Sequence, residues 1–170
     1  MTPTPLAKNP GRIAPSLARL ALCLGLCAAI AAVGGATTAP QIGSWYASLA
    51  KPAFTPPNGA FPIVWPALYG LIAVALWRLW DRAPASPQRR AALLTLGANL
   101  ALNALWSPVF FGLHATKWGL AIILAMIATL VAAIIGAARA DRLAAALLAP
   151  YLAWIVFAAA LNAEIVRLNP

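Results

Sequence analysis

Five long apolar stretches, broken by short polar segments, follow one another along the chain. Each has roughly 20 residues, the length a helix needs to cross the hydrocarbon core of a bilayer. The pattern therefore predicts an all-α membrane protein, a five-transmembrane-helix bundle. The predicted helices cover residues of about 17–40, 62–80, 91–113, 118–138 and 143–166.

The connections between these helices differ in length. The last three are short, so the helices they join are expected to be antiparallel neighbours. The first runs from about residue 41 to 61 and is rich in proline, aromatic and turn-forming residues. We predict a long loop between helices 1 and 2 that acts as a lid. Residues 1–16 are interpreted as a variable N-terminal tail, and residues 17–170 as a single membrane domain.

The composition agrees with a lipid environment. Apolar residues make up 63% of the chain and charged residues 9%, against about 45–50% and about 25% in soluble domains. The mean hydropathy of +0.84 excludes a soluble enzyme domain, a disordered tail and a conventional nucleic-acid-binding domain. The first apolar stretch also has features of a cleaved signal peptide, but its length favours a retained span.

The net charge of +9 comes from basic residues scattered near helix ends. This distribution indicates membrane orientation and headgroup contacts rather than a nucleic-acid partner. Counting alternate sides gives nine basic residues against three, which predicts a cytoplasmic N-terminus in the inner membrane of a bacterium. The nine are Lys8, Arg12, Arg19, Arg78, Arg82, Arg89, Arg90, Arg139 and Arg142, and the three are Lys51, Lys117 and Arg167.

The few titratable residues offer little catalytic chemistry. No pair of carboxylates is available for acid/base catalysis, no metal site is predicted, and each acidic residue has an arginine nearby in sequence. His114 stands alone in a short loop, where a solvated side chain is favoured over an axial haem ligand. The predicted local ion pairs are Asp81 with Arg78 or Arg82, Asp141 with Arg139 or Arg142, and Glu164 with Arg167.

Aromatic and amide side chains converge near the end of the bundle that carries the first connection. A rise of about 1.5 Å per residue places five of them, and one alanine, within roughly 15 Å of one surface. Spacings of three and four residues put those of each helix on one face. A ligand pocket and a core of interhelical hydrogen bonds and aromatic packing both fit this pattern. The six residues are Trp65, Tyr69, Asn103, Trp106, Trp154 and Ala158.

Four parts of the sequence carry a family resemblance. They are WYASLAKPAFTPPNGAFPIVWPALY at residues 45–69, LALNALWSPVFFG at residues 100–112, Trp118, and PYLAWIVFAAALN at residues 150–162. Together they resemble the TspO/MBR family, the tryptophan-rich sensory proteins and mitochondrial translocator proteins (peripheral benzodiazepine receptors). The resemblance implies a five-helix bundle, often a homodimer, with a pocket covered by the first loop.

The resemblance also implies ligands and the residues that bind them. Family ligands include porphyrins such as protoporphyrin IX and haem and, in mitochondrial members, sterols and drug-like hydrophobic molecules. Porphyrin or haem would be a ligand, and no cofactor is required. The sterol motif lacks its aromatic residue, because Ala163 stands there. By resemblance the pocket is lined by Tyr46, Trp65, Tyr69, Asn103, Trp106, Trp154, Ala158 and Leu161, with Pro56 and Pro57 in the lid.

Three functions are compatible with this resemblance. The first is a membrane receptor or sensor that binds tetrapyrroles and influences porphyrin handling and stress responses. The second is light- and oxygen-dependent porphyrin degradation, with Trp65 and Trp154 as its only candidate catalytic residues. The third is a transporter of porphyrins or lipids, which the absence of internal repeats disfavours. A homodimer is expected, and the small residues Gly97 and Ala101 offer a close-contact surface for it.

Overall fold

The computed structural model describes residues 13–170, whose regular structure is helical. Five of its helices, two of them together with the turns that extend them, are long and apolar enough to cross a membrane. The prediction of an all-α membrane protein with five spans is therefore confirmed. The helices are α1 (Ile13–Ile42), the short α2 (Trp45–Ser48), α3 (Phe61–Trp77), α4 (Pro87–Ser107), α5 (Thr116–Ala140) and α6 (Arg142–Leu168).

The start of α1 differs from the sequence prediction. Residues 1–12, most of the predicted tail and the site of Lys8 and Arg12, lie outside the described residues. Residues 13–16 form the first turn of α1 instead of belonging to a tail. Pro15 is compatible with this turn, because the first backbone N–H groups of a helix have no intrahelical acceptor.

The five long helices pack in a ring in the spatial order α1, α3, α6, α5 and α4. Fully buried aliphatic side chains, including Ile72, Leu96, Leu130 and Leu148, fill its interior. Helices α4 and α5 approach closely because Gly136 has no side chain. A Cβ atom at Gly136 would lie 3.1 Å from the backbone nitrogen of Ala92.

The segment that joins α1 to α3 is not the single long loop that the sequence predicted. Residues 41 and 42 complete α1, Trp45–Ser48 form a helical turn, and Asn58–Ala60 form a 3-10 turn that leads directly into α3. A helix of one turn is too short to produce a detectable hydrophobic period, so the sequence pattern did not reveal it. We refer to residues 43–60 as the connecting segment.

The connecting segment is attached to the bundle at two places. The Trp45 ring stacks on the His114 ring with 4.2 Å between centroids, and a His114 ring nitrogen lies 3.1 Å from the Gln41 side-chain oxygen. The Asn169 side chain accepts a hydrogen bond from the Ala50 backbone N–H at 3.0 Å and donates one to the Ala50 carbonyl at 2.9 Å. These contacts hold the segment against the start of α5 and the end of α6.

Two of the long helices end in π-helical turns, at Arg78–Arg82 after α3 and at Pro108–Gly112 after α4. The closing hydrogen bonds run from the Ala83 N–H to the Arg78 carbonyl at 2.9 Å and from the Leu113 N–H to the Pro108 carbonyl at 3.0 Å. Such wider turns are frequent at functional sites, because they change the direction in which the following side chains project.

The end of the bundle opposite the connecting segment, which we call the basic end, is held together by two aspartates. The Asp81 carboxylate accepts hydrogen bonds from the Ser16 hydroxyl at 2.6 Å and from the Arg19 guanidinium at 2.7 Å. It also lies 3.3 Å from Arg82. Asp81 therefore joins the start of α1 to the end of α3.

Asp141 joins α3 to the start of α6. Its carboxylate lies 2.9 Å from the Arg78 guanidinium and accepts hydrogen bonds from the backbone N–H groups of Leu143 and Ala144, both at 3.0 Å. It is thus the N-cap of α6. Burial opposes ionisation of this carboxyl, but the hydrogen bonds and the nearby guanidinium together lower its pKa below the ordinary value.

Ion pairing at the basic end is only partly local. Asp141 was expected to pair with Arg139 or Arg142, its neighbours in sequence, and this prediction is wrong. The N-cap geometry turns the Asp141 carboxylate toward the end of α3, away from both neighbours. The pairs at the basic end are Arg19–Asp81, Arg82–Asp81 and Arg78–Asp141. At the other end of α6, Glu164 pairs with Arg167 as predicted.

Candidate functional site

A cavity of about 450 Å³ lies at the end of the bundle that carries the connecting segment. Its volume falls in the range of small-molecule sites, roughly 300–1,000 Å³. All five long helices and the connecting segment contribute to its wall. The wall is mostly apolar and aromatic, which is the composition expected of a site for a hydrophobic ligand.

All eight residues predicted to bind a ligand line this cavity. Pro56 and Pro57, the residues assigned to the lid, do not line it. The connecting segment contributes Tyr46 and Asn58 instead. Residues of α3, α4 and α6 that helix rise and spacing placed near one surface therefore line a single cavity. The eight lining residues are Tyr46, Trp65, Tyr69, Asn103, Trp106, Trp154, Ala158 and Leu161.

Aromatic rings from α3 and α6 form one wall. The Trp65 ring lies 5.3 Å from the Tyr69 ring and 6.4 Å from the Trp154 ring, which meets it edge-on. Phe61 packs edge-on against Trp154 at 5.8 Å. Trp65 and Tyr69 face the same way because residues four apart in a helix lie on one face.

A second aromatic wall comes from the end of α4. The Trp106 ring stacks on the Phe110 ring with 5.0 Å between centroids and meets the Phe111 ring edge-on at 5.8 Å. Phe110 and Phe111 belong to the π-helical turn that begins at Pro108. Both consecutive rings of this turn line the cavity.

The Asn103 amide joins three helices below these rings. Its oxygen accepts a hydrogen bond from the Tyr69 hydroxyl at 2.6 Å, and its nitrogen donates one to the Tyr151 hydroxyl at 2.9 Å. All three side chains are buried. Both functional groups of the amide therefore already have partners inside the protein, so Asn103 acts first as a link between α3, α4 and α6.

Two buried polar atoms next to the cavity have no hydrogen-bond partner within the described part of the chain. They are the indole nitrogen of Trp106 and the amide oxygen of Asn162, and both residues line the cavity. The Asn162 nitrogen, in contrast, donates to the Thr116 carbonyl at 3.0 Å. One unpaired donor and one unpaired acceptor thus remain beside a space large enough for a ligand.

The contribution of α1 was missed from sequence. Ala31, Gly34, Gly35 and Thr38 line the cavity, at positions i, i+3, i+4 and i+7 of one helical face. Their small side chains leave room at the wall. The regular spacing was a usable signal, but the first apolar stretch was considered only as a retained span or a cleaved signal peptide.

His114 and Lys51 lie outside the cavity wall. The His114 ring is stacked on Trp45 and is not part of the cavity wall. The Lys51 ammonium lies 4.8 Å from the centre of the Tyr46 ring and donates to the backbone carbonyl of Leu49 at 3.0 Å. A positive charge therefore sits behind one of the aromatic residues of the wall.

Comparisons with known proteins agree with this architecture. The model of the TspO/MBR family matches residues 23–168. The tryptophan-rich protein TspO of Chlorobaculum tepidum is 36% identical over 152 residues, which cover 89% of this chain and 96% of the relative. The tryptophan-rich sensory protein of Cereibacter sphaeroides is 38% identical over 138 residues, 81% of this chain and 84% of the relative.

A translocator protein matches as well. The translocator protein of Homo sapiens is 35% identical over 121 residues, which cover 69% of this chain and 70% of the relative. The family model covers most of the helical bundle, since it begins within α1 and ends at the last residue of α6. The chain is therefore a multi-pass membrane protein that belongs to the TspO/MBR family.

Proposed function

We propose that the chain is a membrane receptor or sensor whose cavity binds a tetrapyrrole such as protoporphyrin IX or haem. The main support is that the eight predicted residues surround one aromatic cavity of about 450 Å³. The name of the Cereibacter sphaeroides relative, a sensory protein, supports a sensing role. In this role ligand binding, rather than a chemical reaction, is the primary event.

The shape and polarity of the cavity suit a flat macrocycle with acidic edges. The Trp65 and Trp106 rings on different helices offer faces and edges to a planar π system, which aromatic contacts favour. A carboxylate oxygen of the ligand can accept a hydrogen bond from the unpaired Trp106 indole N–H. The Lys51 ammonium behind Tyr46 adds favourable electrostatics for an anionic group.

A cavity-filling substitution tests this proposal directly. Ala158 lines the cavity on α6, while Ala160, two residues later, is exposed on the outside of the same helix. Ala158→Phe should weaken binding of protoporphyrin IX at least tenfold, about 1.4 kcal/mol, and Ala160→Phe should leave it unchanged. The measurement is titration of the detergent-solubilised protein followed by tryptophan quenching.

Circular dichroism and gel filtration establish that both variants are folded. Saturable binding that is equally strong in the wild type and in both variants would reject the cavity as the porphyrin site. Non-saturable quenching in all three would mean partitioning into detergent and would reject tetrapyrrole recognition itself.

Orientation and assembly belong to the same proposal. The basic end faces the cytoplasm, and the cavity with its connecting segment faces the other side, as the distribution of Lys and Arg favours. A homodimer forms through α4, where Gly97 is exposed and nothing lies within 4 Å of the position of its absent Cβ. Ala101, one turn later, is also exposed. Small residues of this kind allow a second helix to approach closely.

A further inference from the structure

A second hollow lies on the outside of the bundle, near the basic end and separate from the ligand cavity. It is an open groove of about 340 Å³ between α1, the end of α3 and the start of α4. Its lining shares no residue with the cavity. The groove is lined by Leu22, Cys23, Leu26, Leu76, Trp80 and Leu93.

The groove lies within the depth of one membrane leaflet. Leu26 lies seven residues beyond Arg19 on α1, a distance of about 10 Å along the helix. Leu93 lies six residues into α4, about 9 Å from its start. Half of a hydrocarbon core of roughly 30 Å is about 15 Å, so the groove is within one leaflet. Its apolar lining fits a hydrocarbon chain.

Arginines surround the groove where it reaches the basic end. The Arg19 guanidinium lies 5.7 Å from the centre of the Trp80 ring, and the Arg89 guanidinium donates a hydrogen bond to the Trp80 carbonyl at 2.6 Å. Arg90, the next residue, is exposed. The first contact fixes a positive charge beside the indole that forms the rim, and the second fixes one at the Trp80 backbone.

The charge at this rim is incompletely neutralised. Asp81 is shared between Arg19 and Arg82, so one carboxylate serves two guanidinium groups. Within residues 13–170, no carboxylate lies within ion-pair distance of Arg89 or Arg90. The rim therefore has an excess of positive charge directly above an apolar groove.

We propose that this groove is a binding site for an anionic phospholipid. One acyl chain lies in the groove, and the phosphate group meets the guanidinium groups of Arg19 and Arg89. The Trp80 indole, 39% exposed, lies at the level of the glycerol region, where tryptophan is favoured in membranes. Charge complementarity selects an anionic lipid over a zwitterionic one, because each arginine near an anionic surface strengthens binding on the order of fivefold.

Brominated lipids provide the test, since bromine atoms on an acyl chain quench a tryptophan that they contact. The full-length protein is reconstituted in phosphatidylcholine vesicles with a fixed fraction of brominated phosphatidylglycerol or brominated phosphatidylcholine. The fluorescence difference between the wild type and Trp80→Phe isolates the signal of Trp80. We expect the anionic lipid to quench this signal with about fivefold higher apparent affinity than the zwitterionic lipid.

Two double variants with the same loss of charge locate the site. Arg89→Gln with Arg90→Gln removes charge at the groove. Arg139→Gln with Arg142→Gln removes the same charge at the same end, from exposed positions at the junction of α5 and α6. The first pair should abolish the preference for the anionic lipid, and the second should retain it.

A substitution that fills the groove tests the acyl chain separately. Leu26 is 47% exposed, so Leu26→Phe enters the groove from the lipid side without disturbing the core. We expect it to reduce quenching of Trp80 by the anionic lipid at least threefold. Equal quenching by the two lipids in the wild type would overturn the proposal in favour of ordinary annular contact. Equal losses in both double variants would overturn it in favour of diffuse surface attraction.

Discussion

The two ends of the bundle differ in how their polar side chains are paired. At the basic end, Asp81 and Asp141 each bind an arginine from another element. At the cavity end, Trp106 and Asn162 each have a buried polar atom without a partner in the described chain. An unpaired buried donor or acceptor costs about 1–3 kcal/mol. The two carboxylates at the basic end therefore stabilise the protein without a ligand, although the Arg78 Nε atom is also buried there without a partner in the described chain. The unpaired atoms of Trp106 and Asn162, in contrast, border a cavity, where a ligand can supply the missing hydrogen-bond partner.

Helix α5 shows the same contrast in its packing. Near the basic end, a Cβ at Gly136 would lie 3.1 Å from both the Ala92 nitrogen and the Gln88 carbonyl oxygen, which belong to the backbone of α4. Near the cavity, a Cβ at Gly119 would lie 2.9 Å from the Phe110 ring and 3.1 Å from the Asn162 side-chain oxygen. Backbone resists displacement more than side chains beside a cavity do. The basic end is thus expected to be the rigid one.

The largest effect on stability is expected at Asn103. Unlike Trp106 and Asn162, this residue of the cavity end has partners for both groups of its amide. Asn103→Leu leaves the Tyr69 and Tyr151 hydroxyls without their partner. We expect it to lower the free energy of unfolding by about 3 kcal/mol, measured by titration with sodium dodecyl sulfate in mixed micelles. This amide would then stabilise the fold in the same way as the ion pairs of the basic end.

A triple variant is the control for this prediction. Adding Tyr69→Phe and Tyr151→Phe to Asn103→Leu removes the stranded hydroxyls, and replacing all partners by apolar groups can be nearly neutral. Stability should therefore largely recover. A single variant as stable as the wild type would show that the buried amide contributes nothing to the fold.

The second prediction compares the two glycines of α5. Gly136→Ala should destabilise the protein by about 2 kcal/mol, because the added methyl group meets backbone that must move apart. Gly119→Ala should cost less, about 1 kcal/mol, because the new methyl group meets side-chain atoms of Phe110 and Asn162 beside the cavity rather than backbone. Thermal unfolding of both variants in the same detergent measures the difference.

The cavity provides a second readout for the same pair. Movement of Phe110 changes the wall behind Trp106, so Gly119→Ala should alter protoporphyrin IX affinity severalfold while Gly136→Ala leaves it unchanged. If Gly119→Ala destabilised the protein more than Gly136→Ala, the cavity end would be the more rigid of the two ends, and the comparison would be wrong.

The number of helices could be predicted from sequence because lipid imposes a length and an apolar composition on every span. The cavity residues could be grouped because helix rise and the four-residue spacing fix depth and face, as for Trp65 with Tyr69. Both arguments need only regular helices. They carry over to the structure wherever the backbone is regular.

Departures from regular structure escaped these arguments. The helical turn at Trp45–Ser48 and the π-helical turn at Pro108–Gly112 are shorter than the periods that a sequence pattern can reveal. The pairing of Asp141 with Arg78 depends on how the ends of α3 and α6 meet, which sequence distance does not contain. Unpaired atoms such as the Trp106 nitrogen appear only when every neighbour is known.

The smallest effect is expected at Asp141, where the basic end can be weakened without removing a helix cap. Asp141→Asn keeps an N-cap acceptor for the Leu143 and Ala144 N–H groups but removes the charge that faces Arg78. The ion pair is partly exposed on the arginine side, so we expect a loss of about 1 kcal/mol at pH 7. Thermal unfolding across a pH series measures it.

The pH dependence of this loss has a definite sign. The folded protein lowers the pKa of Asp141, so its stabilising effect is complete above the unfolded value of about 3.9 and is lost as the pH falls through the folded value. The wild type should therefore approach Asp141→Asn in stability only below about pH 4. Arg142→Gln, at an exposed neighbour with no ion pair in residues 13–170, should match the wild type throughout. A difference between wild type and Asp141→Asn that persists at low pH would mean that side-chain packing, not charge, holds α6 to α3.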